Sequence, residues 1–252
     1  MKKLNLNKTL RKSFSISLWL IIWQVVSIVI GKELLIASPT AVGKSLFSMI
    51  GDGGFWNTLW FTLLRISLGF LLGMILGVLL GIVASKSVIW REIMAAPMSV
   101  IKSVPVASFI IIALIWINSK NLSVFISFLM VLPIFYTNTL KGIECVDKKL
   151  LEMSKVFKVG TARKLRYIYI PEVMPYFISS ATLSLGLCWK AGIAAEVIGI
   201  PTGSIGESLY QAKIFLNTSD LFAWTIVIIF ISVIFEKFFL FLLSKLEGKI
   251  YW

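Results

Sequence analysis

The chain has 252 residues, 58% of them hydrophobic, a mean hydropathy of +0.91 and only 15% charged residues. Soluble domains are roughly 45–50% apolar and about 25% charged, so lipid is the solvent this composition fits and a soluble enzyme is a poor reading. The 25 Lys and Arg outnumber the 12 Asp and Glu, but they fall in short clusters between apolar stretches, as membrane topology requires and nucleic-acid binding does not.

In chain order, the basic start Lys2, Lys3, Lys8, Arg11 and Lys12 precedes an apolar run from Ile16 to Ile30. No small-residue cleavage site of the A-x-A type follows Ile30, so a retained first helix is expected rather than a signal peptide. A spanning helix needs about 20 mostly apolar residues. Further candidates run over Leu59–Ser85, Ile93–Ile117, Leu122–Leu140, Val173–Ala195 and Leu221–Leu243, about six spans in all. The third is interrupted by Pro97, Lys102 and Pro105. Such breaks are tolerated where neighbouring helices or a water-filled path satisfy the freed backbone groups. No Pro/Gly/Ser-rich linker separates the spans, so residues 1–252 read as one domain with a core over about 57–243.

Threading six spans places the N-terminal cluster, Lys86, Arg91, the block from Lys141 to Arg166, Lys245 and Lys249 on one side. By the positive-inside rule that side is cytoplasmic, and it holds both termini of a multi-pass plasma-membrane protein. The opposite connections, Gly31–Trp56 and Glu196–Asp220, carry few basic residues.

Several features bear on function. Gly69, Gly73, Gly77 and Gly81 repeat a GxxxG spacing on one face of the second span and predict close helix packing. Gly43-Lys44-Ser45 resembles the end of a phosphate-binding loop, but Ser38 stands where that loop needs glycine, Pro39 interrupts it and no strand precedes it. Histidine is absent, so His-based catalysis and His-ligated metal sites are excluded, and Cys145 and Cys188 lack any metal-binding spacing. No metal site and no catalytic residue is expected.

The connection from Lys141 to Pro171 is the most informative segment. Leu150, Met153 and Phe157 recur at helical spacing, Gly160 is placed to end that helix, Thr161 to cap a second basic helix, and Pro171 to mark the turn into the fifth span. Physics alone leaves two readings open, a surface for anionic lipid headgroups and a docking element for a protein.

Ionisable residues inside spans are costly and are functional candidates. Lys102, with Ser99 and Ser103 between the prolines of the third span, and Lys190, beside Trp189 and near Glu196, are candidates to meet an anionic substrate. The alternative is that both lysines snorkel or pair internally, Lys190 with Glu196.

The Lys141–Pro171 segment resembles the Glu-Ala-Ala loop of ABC importer permeases. Glu152 and Pro171 keep its spacing, Met153 and Ser154 replace the two alanines, and Lys158 stands at the usual glycine. Similarity extends to the nitrate/sulfonate/taurine group through Ala37-Ser38-Pro39-Thr40-Ala41-Val42, Asn57 to Gly81, Pro97 to Asn118, and Ala194-Ala195-Glu196 with Gly199. The resemblance implies an all-α, methionine-importer-like permease fold with cytoplasmic coupling helices. It implies uptake of a small solute, such as a sulfonate or nitrate anion, driven by a separate cytoplasmic ATPase dimer. It also implies a second permease subunit and an extracytoplasmic substrate-binding protein. ATP and Mg would be bound by the ATPase, with no cofactor on this chain. Glu152, Met153, Ser154, Phe157, Lys158, Gly160, Arg163 and Pro171 are the residues the resemblance assigns to ATPase coupling. An ion-coupled secondary transporter is the alternative, but no clear internal repeat is visible, and a membrane enzyme would need a nucleophile, base or metal cluster, whereas the spans offer no His and no paired carboxylates.

Overall fold

In hydrocarbon a chain must satisfy its own backbone hydrogen bonds, which restricts an apolar sequence without closed-barrel patterning to helices. The computed structural model describes residues 2–250, with the side chains of residues 2–9, Lys12, Ile16 and 246–250 outside the described residues. The expected basic residues Lys2, Lys3, Lys8, Lys12 and Lys249 therefore lie outside the described side chains. Among the described residues every regular element is helical.

The order begins α1 (Lys2–Ile30), α2 (Pro39–Ile50), α3 (Gly53–Lys86), α4 (Val88–Ser103) and α5 (Val106–Ala113). It continues with α6 (Ser119–Glu144), α7 (Lys148–Val156), α8 (Thr161–Lys164), a π-helical turn (Leu165–Tyr169), α9 (Ile170–Gly199), α10 (Ile205–Ile214) and α11 (Thr218–Ile250). Polar caps start most of these elements. Ser38 accepts from Ala41 N at 3.2 Å, Asp52 from Gly54 N at 3.2 Å and Asn118 from Lys120 N at 3.1 Å, each satisfying a donor the helix cannot.

Ser13–Ile30, Gly53–Lys86, Ser119–Glu144, Thr161–Gly199 and Thr218–Lys245 are long and apolar enough to span. The expected third span is instead two helices, α4 and α5, meeting at 104°. Pro97 stays within α4. The break falls at Val104, held extended at φ −77°, ψ 133° by the ring of Pro105 that follows it. The two long connections also hold helices that the polarity pattern alone hides, α2 and α10. Gly43-Lys44-Ser45 lies inside α2, and the Ser45 hydroxyl donates to Asp220 Oδ1 at 2.6 Å.

The core is a three-helix layer of α3, α6 and α9. A Cβ on Gly69, Gly73, Gly77 or Gly81 would run into the α6 backbone at Val124, Phe128, Leu132 and Tyr136 in turn. Both residue series ascend together, so α3 and α6 are parallel. α9 runs antiparallel to α6: Ser127 Oγ donates to the Cys188 carbonyl at 3.2 Å, Asn138 Nδ2 to Ser180 Oγ at 2.9 Å, and Tyr176 packs on Gly142. α11 closes the layer with Phe235 and Phe239 against Phe70, ring centroids 6.1 and 4.9 Å apart. α1 is held near its C-terminal end, where Trp23 Nε1 donates to the Ala37 carbonyl at 3.1 Å and Ser27 Oγ to the Ile36 carbonyl at 3.1 Å.

Gly77→Val is expected to destabilise by about 1–3 kcal/mol or more, because backbone atoms of α6 cannot yield to the added side chain. Gly186→Ala, with open space around its Cβ position, is expected to leave the thermal midpoint in detergent unchanged. Equal midpoints for both variants would show that the glycine face does not carry the packing.

Candidate functional site

The connection between α6 and α9 begins with Asp147, whose side chain accepts from Lys149 N at 2.8 Å and starts α7. One face of α7 turns inward: Ser154 is buried and its hydroxyl donates to the Leu151 carbonyl at 2.7 Å. The other presents Met153, Val156 and Phe157, 50%, 78% and 73% exposed. Glu152, Lys155 and Lys158 are exposed around them. Of the expected stripe, Leu150 is half-buried while Met153 and Phe157 stand out in solvent.

Helix α7 does not end at Gly160. It ends at Val156 with Phe157 as its cap, and Lys158 adopts the left-handed conformation at φ 50°, the backbone state that glycine takes at a helix C-terminus. The Val159 N–H returns to the Ser154 carbonyl at 2.9 Å and closes the turn. Gly160, at φ −62° and ψ 151°, is instead the residue before α8, so Thr161 is its first helical residue rather than its cap. Arg163 lies exposed on α8.

Pro171 makes no turn either. The chain stays helical from Thr161 to Gly199, and the π-helical turn over Leu165–Tyr169 passes directly into α9. The Ile170 N–H bonds to the Leu165 carbonyl, five residues back. A proline has no N–H and its ring crowds the carbonyl four residues earlier, and a widened turn accommodates both.

The expected path residues separate into two groups. Ser99, Lys102 and Ser103 are exposed on the last turns of α4, at the elbow with α5. Lys102 Nζ donates to Thr137 Oγ1 at 2.7 Å, and Thr137 Oγ1 in turn donates to the Pro133 carbonyl at 2.5 Å. Lys190 is exposed on α9. The only ion pair among the described residues is Arg91 with Glu144, so neither lysine has a carboxylate partner there.

Trp189 and Glu196, by contrast, face inward. Trp189 is 2% exposed and packs on Phe235, centroids 5.9 Å apart. Glu196 is fully buried and pairs with no lysine among the described residues. Its Oε2 accepts from Thr62 Oγ1 at 2.8 Å and from Gly206 N at 3.4 Å, while Thr62 Oγ1 accepts from Ile205 N at 3.0 Å. Ser204 completes the set by accepting from Glu207 N at 3.0 Å. Glu196 thus takes one of the free donors starting α10, the Gly206 N–H, while Thr62 and Ser204 take those of Ile205 and Glu207. Gly206 permits the crossing, since a Cβ there would overlap Glu196 Cβ and the α9 backbone. Ile200 ends α9 at φ 46°, a strained state for a β-branched residue, its N–H bonded to the Glu196 carbonyl at 2.8 Å.

Sequence reasoning missed Thr62, Asn138, Thr137 and Asp147. Asp147 was readable, since an Asp preceding Lys148 and Lys149 and an apolar run is an N-cap signal. The three others are polar residues inside spans whose partners lie on distant segments.

Comparison with known proteins places these features in context. Residues 69–250 match the family model described as "Binding-protein-dependent transport system inner membrane component". The Bacillus subtilis putative aliphatic sulfonates transport permease protein SsuC is 26% identical over 89% of this chain and 82% of its own length. The Escherichia coli taurine transport system permease protein TauC is 23% identical over 85% and 80%. The Synechocystis nitrate import permease protein NrtB is 23% identical over 94% and 89%. A solved structure of an amino acid ABC transporter with histidines shares the fold at a TM-score of 0.54, with 19% identity over 78% of this chain and 93% of that one.

Two substitutions test the local geometry. Thr62→Val strands the Ile205 N–H and leaves Glu196 Oε2 with only the longer bond from Gly206 N, and is expected to cost about 1–3 kcal/mol in thermal unfolding. Lys158→Gly is expected to stabilise by up to about 1 kcal/mol, and Lys158→Val to destabilise, because only glycine takes a left-handed backbone without steric cost.

Proposed function

Because the chain belongs to the binding-protein-dependent transport system inner membrane component family, we propose that α7 is the surface through which a cytoplasmic ATPase drives it. The chain is the membrane permease subunit of an ABC importer, a multi-pass protein that works with an ATPase and a substrate-binding protein.

The observation that carries the coupling role is the exposed apolar patch of Met153, Val156 and Phe157 on α7, rimmed by Glu152, Lys155 and Lys158. An aromatic and a flexible methionine surrounded by charge form the usual centre and rim of a protein contact. Gly160, Arg163 and the helical run through Pro171 join that contact to α9, while the buried Ser154 closes the end of α7 through its bonds to Leu151 and Val159. Since α6 and α9 are packed antiparallel and α3 is locked to α6, a push on α7 moves the three as one body. That is the rigid-element motion alternating access needs. ATP and Mg sit on the ATPase in this arrangement.

The clustering of Lys86, Arg91, Lys141 and the α7–α8 basic residues at one end supports a cytoplasmic location for that end and for both termini. A second permease subunit, most simply a second copy, completes the path, and residues 1–252 act as one domain. The relatives named for sulfonates, taurine and nitrate support a small solute bearing an oxyanion. Lys102 and Lys190, exposed and without carboxylate partners among the described residues, are the cations to receive it, with Ser99 and Ser103 as donors beside Lys102.

Co-expressed with its ATPase, the wild-type chain is expected to co-purify with it, and Phe157→Ala to weaken the association by about 2 kcal/mol, as for a central contact residue. Glu152→Ala should weaken it less, and Lys213→Gln on α10 not at all. ATP-driven uptake by the chain in proteoliposomes with no ATPase present would overturn the reading. In the complete importer, Lys102→Gln is expected to lower uptake of a sulfonate or nitrate about tenfold while ATPase association is retained.

A further inference from the structure

Arg65 is a cation set inside the apolar length of α3. The only ion pair among the described residues lies elsewhere, so Arg65 has no carboxylate partner there. Glu196, the buried carboxyl of the same bundle, is engaged with Thr62 and Gly206. What Arg65 does touch is Phe61, its guanidinium 4.0 Å from the ring centroid, and Asn121, to whose Oδ1 it donates at 3.4 Å.

These contacts give its direction. Phe61 is one turn nearer the start of α3, so the side chain runs along the helix toward that end. Trp56 and Trp60, 50% and 55% exposed, stand on the same end of α3, and Trp116, 78% exposed, stands just after α5. Exposed tryptophans mark the headgroup level of a membrane. Arg65 begins about 7.5 Å deeper than Trp60, at 1.5 Å per residue, and reaches back toward that level as a snorkelling arginine does.

Directly below it lies an apolar groove of about 680 Å³ between α3 and α6, lined by Leu68, Leu72, Leu76, Val124, Phe125 and Phe128, with Asn121 at its rim. The groove and the cation form one amphipathic site: a hydrocarbon slot topped by a planar, five-donor cation. Lys120, exposed next to Asn121, adds a second positive charge.

We propose that this site holds an anionic phospholipid, its phosphate on Arg65 and Asn121 and one acyl chain along the groove. A second copy of the chain fits less well. An isologous contact over this face would bring two unpaired arginines out of water with no counter-ion, which costs several kcal/mol per buried ion. A phosphodiester supplies the charge and the two acceptor oxygens that a guanidinium fork binds. The proposal rests on the membrane embedding of α3 and α6 and is independent of the coupling role assigned to α7.

The test is native mass spectrometry of the full chain in detergent, titrated with dioleoylphosphatidylglycerol or dioleoylphosphatidylcholine. Wild type is expected to retain a phosphatidylglycerol adduct in preference to phosphatidylcholine, and Arg65→Gln to lose about tenfold in affinity for it. Leu72→Trp, which fills the slot and keeps the charge, should weaken both lipids, and Lys213→Gln neither. Equal retention by Arg65→Gln, or no preference between the lipids, overturns the proposal. So does efficient Leu72→Cys disulfide cross-linking between two copies in the membrane, which would assign the groove to a dimer. Size-exclusion profiles matching wild type keep the variants interpretable, and Leu72→Trp carries the test if Arg65→Gln fails to fold.

Discussion

The close contact between α3 and α6 is the constraint on which the rest of the bundle depends. Hydrocarbon gives helices no hydrophobic incentive to associate, so contact area and close approach must supply the attraction. Four glycines on α3 bring its backbone against the carbonyls of α6. The two helices run in the same direction, and helices joined by a short turn would run in opposite ones. The chain must therefore return from the Lys86 end of α3 to the Arg65 level before α6 begins. The broken pair α4 and α5 makes that return, which is why a sequence stretch containing three interrupting residues is nonetheless needed as a crossing. The elbow at Val104 follows from the proline, and its place in the fold follows from the parallel pair.

Polar groups inside the bundle are arranged around the same layer. Asn138 with Ser180, Ser127 with the Cys188 carbonyl, and Thr62 with Glu196 each tie a residue of α3 or α6 to α9. Such bonds add modest energy in a membrane, but they are directional where apolar contact is not. Glu196 is the extreme case: a fully buried carboxyl joining α3, α9 and the start of α10. Lys102 shows the opposite treatment, a cation left exposed at the elbow with a hydroxyl as its only partner among the described residues. Glu196 Oε2 meets a hydroxyl and a backbone donor, whereas the exposed Lys102 ammonium meets a single hydroxyl among the described residues.

Much of this was legible in the chain. Span length and apolar content found the long helices, and the glycine spacing on α3 points to a close-packing face. What the sequence hid has common causes. α2 and α10 are short and mixed in polarity, so neither length nor periodicity separates them from loop. Gly160 looked like a helix terminator because glycine usually is one, yet Lys158 takes the left-handed turn, a choice made by the closing Val159 and Ser154 bond rather than by side-chain preference. Pro171 looked like a boundary because proline breaks α-geometry, and a wider helical geometry absorbed it. Glu196 looked like a path residue because an acid near a span end is costly; its partners come from positions 62 and 205–206, remote in sequence, and no local pattern announces them.

The π-helical turn at Leu165–Tyr169 has a consequence for how this connection varies over evolutionary time. A π turn stores one residue more than regular helix does over the same rise, and each helical residue corresponds to about 100° of rotation. It therefore absorbs that residue without turning the part of the chain that faces outward relative to the part that grips the bundle. Excising one residue there would restore regular winding and leave both α9 and the outward surface oriented as they are. Lineages that gain or lose that residue would keep the direction of α7 and its exposed aromatic, whereas the same deletion in regular helix would swing them by about 100°.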